Sequence, residues 1–302
     1  MIGGAGECVR KERRRRFGKQ TVAEPGSGRE TPKPKPRASF RSFPTSLRIC
    51  LLGSGSSGNA ALVATGKVRL LIDAGFSFRE ITKRLAAIGE DVRKLDAVLI
   101  SHEHSDHISG LPQLAKKVRC PIYLTPVTAD TFLCKDPAPL VQHFRAGQTI
   151  AIGDIEIDTF TIPHDAADPV AFCVRHNGVK AGFVTDLGYL PDSVKYQIRG
   201  CHFLALESNH DLDMLKVGPY PWFVKQRVMS RVGHLSNKAV SEFLADGYDR
   251  ASRVVVLAHL SDSNNHPEVA RMFAGEALQR SGACDTRLLV AKQDEPSEVF
   301  EF

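Results

Sequence analysis

The sequence predicts an α/β domain in which buried strands alternate with amphipathic helices and present metal-ligating side chains at one edge of a sheet sandwich. Two observations carry this expectation. Apolar runs such as residues 95–100, broken only by Asp96, and 254–257 are short and almost continuous, with no helical period, as in strands covered on both faces. His102, His164, Asp186 and His259 each follow the end of a different strand, the position where α/β folds keep their chemistry.

Taken in order, the first strand spans 47–52 and leads into Gly53-Ser54-Gly55-Ser56-Ser57-Gly58-Asn59. Exposed N–H groups of this small-residue loop could accept a phosphate or line a pocket, and the loop equally suits a tight strand connection. No Gly-Lys-Ser/Thr follows, so it is not a Walker motif. Strands over 60–64 and 68–72, joined at Thr65-Gly66-Lys67, end in Asp73-Ala74-Gly75. Residues 76–88 form a helix with Ile81, Leu85 and Ile88 on one face. The strand within 95–100 feeds a histidine-rich loop and then a helix around 114–118. A strand at 121–124 and a helix at 126–134 opened by Pro126 come next. A hairpin follows, 150–152 with 155–162, and ends in Pro163-His164. Strands 170–174 and 180–184 pair around Asn177-Gly178, a turn dipeptide, and the second runs into Thr185-Asp186. A strand at 203–206 ends at Glu207-Ser208-Asn209-His210, helices fill 212–246, and a strand at 254–257 stops at Ala258-His259. A helix over 267–280 and a strand over 288–290 close the domain.

The densest chemistry is Ser101-His102-Glu103-His104-Ser105-Asp106-His107. Imidazole is the commonest protein metal ligand. Burying three imidazoles with a carboxylate is costly unless a cation sits among them. His102 and His104 are two apart and cannot share a helix face, so this is not the arrangement of a helical zinc protease. On a tight loop, His102 and His104 can face one metal while Asp106 and His107 turn to a second. A solvated or pH-sensitive loop is the bland reading of any one of these residues, but not of the set. Singly, His164, Asp186 and His259 would be weak candidates; their recurrence at strand ends makes them much stronger candidates as a set. His143, His176, His202 and His266 read as structural.

The chain of 302 residues is 42% hydrophobic and 25% charged, as in ordinary soluble domains. It contains no apolar run of the roughly 18 residues that a membrane-spanning helix needs, and no apolar signal core. Seven scattered cysteines without a Cys-x-x-Cys pair argue against disulfide frameworks and cysteine zinc sites and fit a reducing cytoplasm. Residues 1–47 hold twelve Lys/Arg against four Glu, a charge of +8, so residues 48–302 carry −2 of the chain's +6. This tail, with its Pro- and Gly-rich stretches, reads as disordered. Arg13 to Arg16 could touch phosphates, but a short basic run is a low-specificity signal.

Over residues 48–302 the sequence resembles the metallo-β-lactamase superfamily, with Asp73, His102-x-His104-x-Asp106-His107, His164, Asp186 and His259 matching its five motifs in order. The resemblance implies an αββα sandwich with a dinuclear metal site at the sheet edge. His102, His104 and His164 would hold one ion; Asp106, His107 and His259 would hold the other, with Asp186 bridging. Asp73 would stand behind the site and orient the histidine loop. Within the superfamily the sequence is similar to the YycJ/WalJ-type DNA-processing hydrolases, through the 53–59 loop, Glu207-Ser208-Asn209-His210-Asp211, Gly233-His234-Leu235-Ser236-Asn237, His259-Leu260-Ser261 and Asn264-Asn265. That group implies 5′-to-3′ exonuclease action on DNA. Only 73 positions separate Asp186 from His259, too few for the cap domain of ribonuclease J-like enzymes, and no long Gly/Pro-rich arm like that of ribonuclease Z is present. A nearly neutral domain would then have to grip nucleic acid by itself.

The expected reaction is attack on a phosphodiester by a hydroxide shared between two divalent ions. The imidazole-rich set suits zinc, with manganese and iron compatible. Asp106 and His234 are the expected catalytic side chains, His234 contacting the scissile phosphate or protonating the leaving oxygen. Ser54, Ser56, Asn59, Ser236 and Asn237 are the expected substrate contacts. Hydrolysis of a small thioester or lactone is the rival enzymatic reading. A metal-binding regulator without turnover is the rival outside enzymes, and an intact ligand set argues against it.

Overall fold

The computed structural model describes residues 46–131 and 140–302. The basic tail expected over 1–47 lies outside the described residues except for Ser46 and Leu47, as does the end of the helix expected over 126–134. Each of two sheets has seven strands. The first runs from β1 (Arg48–Gly53) through β2 (Ala60–Ala64), β3 (Arg69–Ile72), β4 (Ala97–Leu99) and β5 (Ile122–Leu124) to β6 (Val141–His143), with β14 (Phe300–Glu301) on the outer edge of β1. The second runs from β7 (Thr149–Ile152) through β8 (Ile155–Thr161), β9 (Val170–His176), β10 (Val179–Val184), β11 (Phe203–Glu207) and β12 (Val254–Ala258) to β13 (Arg287–Val290). In the first sheet, pairing is antiparallel from β14 to β3 and parallel from β3 to β6. In the second it is antiparallel from β7 to β10 and parallel from β10 to β13.

The continuous apolar runs follow from this layering, because most strands are covered on both faces. Ile49 and Leu51 of β1, Phe172 and Val174 of β9, and Val254 and Val256 of β12 meet in one core between the sheets. Alternate residues point outward. Cys50 and Leu52 pack with Ile81 and Leu85 of α1 (Phe78–Ala87) and with Leu111 and Leu114 of α3 (Leu111–Lys117), which follows α2 (Ser105–Ile108). On the other side, Cys173, Val255 and Leu257 pack against α5 (Asp192–Ile198), α8 (Asn237–Glu242) and α9 (Pro267–Ser281). The result is an αββα sandwich. The remaining helices are α4 (Pro126–Thr131), α6 (Leu212–Val217) and α7 (Trp222–Val228).

Local sequence accounts for most boundaries. Ser77 caps α1 by accepting the Glu80 N–H, and Gly282, at φ 78°, closes α9 in a left-handed conformation. Asn177 and Gly178 both have positive φ, the hairpin turn their sequence predicts. The short edge strands β6 and β14 and helix α5 were not expected. The two residues of β14 have no pattern of their own and are strand only because β1 pairs with them. Among the described histidines, His176 is buried with Nδ1 2.8 Å from the Asp154 carbonyl, and His266 caps α9.

Candidate metal centre

Three residues at the common edge of the sheets have left-handed backbone: Asp73 (φ 58°) after β3, Asp186 (φ 64°) after β10 and His259 (φ 55°) after β12. Asp and His are among the side chains that tolerate this region, and such strain clusters at functional sites. Each turn swings a polar side chain back over the strand end. From β4 the chain passes directly into the histidine loop, whose last part is α2. That loop is braced by residues 73–75 and by Asn59: Ala74 N–H donates to His107 O (2.7 Å), Asn59 N–H donates to Asp106 O (2.8 Å), and Gly75 N–H donates in turn to Asn59 O (2.9 Å). A side chain at position 75 would bring a Cβ within 1.7 Å of the Asp106 carbonyl oxygen, so only glycine fits there.

The structure brings all seven sequence-predicted ligands together. His102, His104 and His164 form one group with donor atoms within 4.8 Å of one another, and Asp106, His107, Asp186 and His259 form a second. His107 Nε2 and His259 Nδ1 each lie 3.2 Å from an Asp186 oxygen, and His259 Nε2 lies 3.2 Å from Asp106 Oδ2. Asp186 Oδ1 is 3.9 Å from His164 Nε2, so this carboxylate faces both groups. His104 and Asp106 are half-buried on the cleft side, and the other five are buried.

Two buried carboxylates stand behind the imidazoles. Asp73 Oδ2 is 2.8 Å from His107 Nδ1, and its Oδ1 accepts from Ser101 N (2.8 Å). Glu207, the last residue of β11, lies 2.8 Å from His234 Nδ1 and 2.9 Å from His259 Nδ1 through Oε1. Its Oε2 accepts from Leu187 N (2.9 Å) and Leu235 N (3.1 Å). Glu207 could itself join Asp186, His234 and His259 around an ion. Its oxygens are already taken up by these four donors, so it is better placed to orient the two histidines. The sequence marked it only as part of the Glu207-Ser208-Asn209-His210-Asp211 motif and gave it no role at the site, although it is a carboxylate ending an apolar strand, the same signal that marked Asp186.

Electrostatics separates the groups. Burial, aided by the neighbouring His107, holds His102 well below the ordinary imidazole range, and burial lowers His164 too. His107 is buried as well, but Asp186 and Asp73 outweigh that and raise it well above its ordinary value. His259 is raised to about 10, with the Asp186 carboxylate again overcoming burial. Asp186 is lowered well below the carboxylate range, its burial outweighed by His259 and His107. Glu207 is lowered to about 2, its burial likewise outweighed, chiefly by His234.

The donors suit metal ions. His102 Nε2 is fully buried with no hydrogen-bond partner, although its ring lies 4.7 Å from that of His104 and 5.0 Å from that of His164. His164 Nε2 and His104 Nδ1 face each other at 3.1 Å. Neutral imidazole nitrogens converging without enough protons to share form a cradle for a cation.

The cleft above them, about 310 Å³, is lined by Ser56, His104, Ser105, Asp106, Asp186, Arg227, His234 and His259. His234 and Ser56 therefore face it, whereas the other expected substrate contacts do not present their polar atoms there. Ser54 is buried; its hydroxyl donates to Asn59 Oδ1 (2.8 Å) and accepts from His259 N (2.9 Å). Asn59 is buried and donates to Gly55 O and Asp106 Oδ2. Ser236 caps α8 by accepting from Ala239 N, and Asn237 is buried in an amide network with Ser208 and Asn265. Ser54, Asn59, Ser236 and Asn237 thus hold the scaffold, because their hydrogen-bonding capacity is used inside the protein. Arg227, which no sequence pattern marked, contributes a cation to the rim.

Comparison with known proteins agrees with this architecture. Residues 68–260 match the Beta-lactamase superfamily domain. The chain is 36% identical over 239 residues to Exodeoxyribonuclease YycJ of Bacillus anthracis, covering 78% of this chain and 90% of that protein. It is 37% identical over 231 residues to Exodeoxyribonuclease WalJ of Streptococcus pneumoniae, covering 75% and 86% respectively. Among solved structures, the metallo-beta-lactamase fold protein YhfI from Bacillus subtilis aligns with a TM-score of 0.66 at 19% identity, over 85% of this chain and all of that one, a likeness of fold.

Proposed function

Because the chain belongs to the metallo-β-lactamase superfamily and is a metal-dependent hydrolase, we propose that it acts as a 5′-to-3′ exonuclease on DNA. The observation that carries this reading is the 36–37% identity to two proteins named exodeoxyribonucleases, over nearly their whole length. An open cleft with a cationic rim at Arg227 and a histidine at its wall supports it.

His102, His104 and His164 would hold one divalent ion and Asp106, His107 and His259 the other, with Asp186 between them. This imidazole-rich set suits zinc, with manganese and iron compatible. When bound, such ions supply a nucleophile from water at neutral pH and neutralise charge on phosphate oxygens. The protein's own part is positioning and proton delivery. Glu207 fixes the His234 ring through Nδ1 and, against its burial, raises its pKa, so the ring can enter the reaction protonated. Nε2 of His234 is then the proton donor to the leaving oxygen. Arg227, its Nε engaged by Asp165, sets a guanidinium beside the phosphate path, and Ser56 offers a hydroxyl from the opposite loop. Cys50, Cys120, Cys173, Cys201 and Cys284 are free, and no helix among the described residues is long and apolar enough to cross a membrane. Both suit work on DNA in the cytoplasm.

The test is degradation of 5′-phosphorylated, end-labelled single- and double-stranded DNA by metal-loaded protein, with His104→Ala as control. Metal-dependent loss of nucleotides from the 5′ end, absent in the control, is the expected result. Intact DNA together with turnover of a thioester or lactone would replace this reading with small-ester hydrolysis.

A further inference from the structure

The described domain is nearly neutral overall, and the segment beside the cleft sets cations among apolar side chains. Between Met214 and His234 stand Lys216, paired with Asp213 (3.0 Å), the buried Lys225, Arg227, paired with Asp165, and Arg231, which no carboxylate pairs among the described residues. The same segment carries Val217, Trp222, Phe223 and Val232, half of the large apolar side chains exposed among the described residues. Trp222 is 62% exposed and Phe223 71% exposed, at the start of α7. Large aromatics that fail to join a core in a well-packed domain mark a surface with a partner.

Helix geometry places Phe223 on the cleft side of α7, with Trp222 about 100° round the helix from it. Phe223 and Arg227 are four apart on α7 and share a face, about 6 Å along the helix axis. Arg227 lines the metal cleft. The segment is tied to the site at its other end: Asp165 N donates to Val232 O (3.0 Å), and His164 Nδ1 is 3.2 Å from Gly233 O. Arg231 is exposed, lies 3.8 Å over the Tyr189 ring, and has no carboxylate partner among the described residues. Lys225 Nζ bonds the Lys216 carbonyl (2.7 Å), and Pro219 and Pro221 flank Tyr220 between α6 and α7. Cations, exposed aromatic faces and a stiff support therefore converge next to the cleft.

We propose that α6 and α7 form a stacking platform for single-stranded nucleic acid, on which bases next to the scissile phosphate lie against Trp222 and Phe223 while Arg227 and Arg231 follow the backbone. Aromatic faces bind bases whatever their sequence, and an unpaired base offers both of its faces, whereas interior duplex bases are covered by their neighbours. The substrate class is accordingly a single-stranded 5′ end, or the frayed 5′ end of a duplex. This rests on the exonuclease reading, and it answers how a domain of net charge near zero can hold a polyanion: through local stacking and a few cations.

Trp222 is the chain's sole tryptophan, so its emission reports the platform directly. Titration of metal-loaded protein with a nuclease-resistant phosphorothioate oligothymidylate should quench that emission saturably. Phe223→Ala should weaken the binding about tenfold or more, and Trp222→Ala should raise KM for single-stranded DNA by a similar factor. Arg231→Ala should flatten the salt dependence of binding. An oligoribonucleotide run in parallel separates DNA from RNA as the occupant, and equal or stronger quenching by RNA would overturn the assignment of DNA. If wild-type protein degrades DNA while Trp222 emission stays unmoved, the platform is wrong and the exonuclease reading stands. Concentration-dependent self-association through this face, without quenching by oligonucleotide, would likewise overturn it. If wild-type protein leaves all DNA intact, the exonuclease reading fails first and the platform with it.

Discussion

The first sheet delivers His102, His104, Asp106 and His107 on a single loop after β4, whereas the second delivers His164, Asp186 and His259 one at a time from the ends of β8, β10 and β12. The sheets share one pattern of pairing, antiparallel then parallel, and each sets a buried carboxylate behind its imidazoles: Asp73 at the end of β3 and Glu207 at the end of β11. The difference lies in how far apart in sequence the cooperating residues are. A loop can be lost as a unit. Residues from separate strands would be coupled only through an ion that they jointly hold, and Asp186, which faces both groups, is where that coupling would concentrate.

The comparison breaks most sharply at Asp186. Asp186→Asn should reduce DNA turnover by about 10³-fold or more, since it removes the carboxylate facing both imidazole groups. His104→Ala, at the open side of the loop, should empty one ion position and leave the second occupied. Metal content by plasma mass spectrometry after exhaustive dialysis distinguishes them. Two ions retained by the Asp186→Asn protein at full turnover would mean that the groups are not joined through this residue.

Next in size is the pair of bracing carboxylates. Glu207→Gln and Asp73→Asn each keep the shape but lose the negative charge that imidazole N–H groups donate to. Loss of such support costs about 10- to 100-fold in activity or metal affinity. Glu207 serves His234 as well as His259, so its substitution should lower kcat more than that of Asp73, which serves His107. Equal kcat for the two variants would remove His234 from proton delivery.

The same contrast explains what the sequence made legible. The loop from His102 to His107 could be read in one glance, because four ligating side chains lie within six residues after an apolar run. His164, Asp186 and His259 were legible only through their repeated position after strands. Glu207 was not, because its role depends on donors from residues 187, 234, 235 and 259, which only the fold brings together. Ser54, Asn59 and Asn237 show the converse failure: small polar residues near the site suggested substrate contacts, and burial turned them into scaffold. Nothing in the sequence marked Trp222 and Phe223, because their exposure is a property of the fold.

Away from the site, charge acts on stability instead. Glu90 joins Arg48 of β1 and Arg69 of β3 at the end of the first sheet opposite Asp73. Burial would raise the Glu90 carboxyl, but the hydrogen bonds from Arg69 and Arg48 outweigh it and its pKa is lowered. A lowered folded-state pKa means stability that is full above the ordinary carboxylate range and is lost as pH falls through the folded value. Glu90→Gln should therefore cost about 2 kcal/mol at pH 7, between the values for exposed and buried pairs. Urea denaturation should show the two proteins converging in acid, with turnover at pH 7 unaffected. A constant gap across pH would assign the effect to packing rather than to charge.

The smallest expected effect tests whether residues near the second sheet's ligands act on substrate or on scaffold. Ser236 follows His234 by two positions, yet its hydroxyl accepts from Ala239 N at the start of α8. Replacing such a cap by alanine costs about 1 kcal/mol. Ser236→Ala should lower the thermal midpoint by the few degrees that this implies, and a conservative Ser236→Thr or Ser236→Asp, which keeps a capping oxygen, should restore it. Because the hydroxyl is engaged by the helix rather than turned to the cleft, KM for DNA should not follow the loss of stability. A tenfold rise in KM that Ser236→Asp fails to rescue would return Ser236 to the substrate path, and would mean that the α8 cap opens when DNA binds.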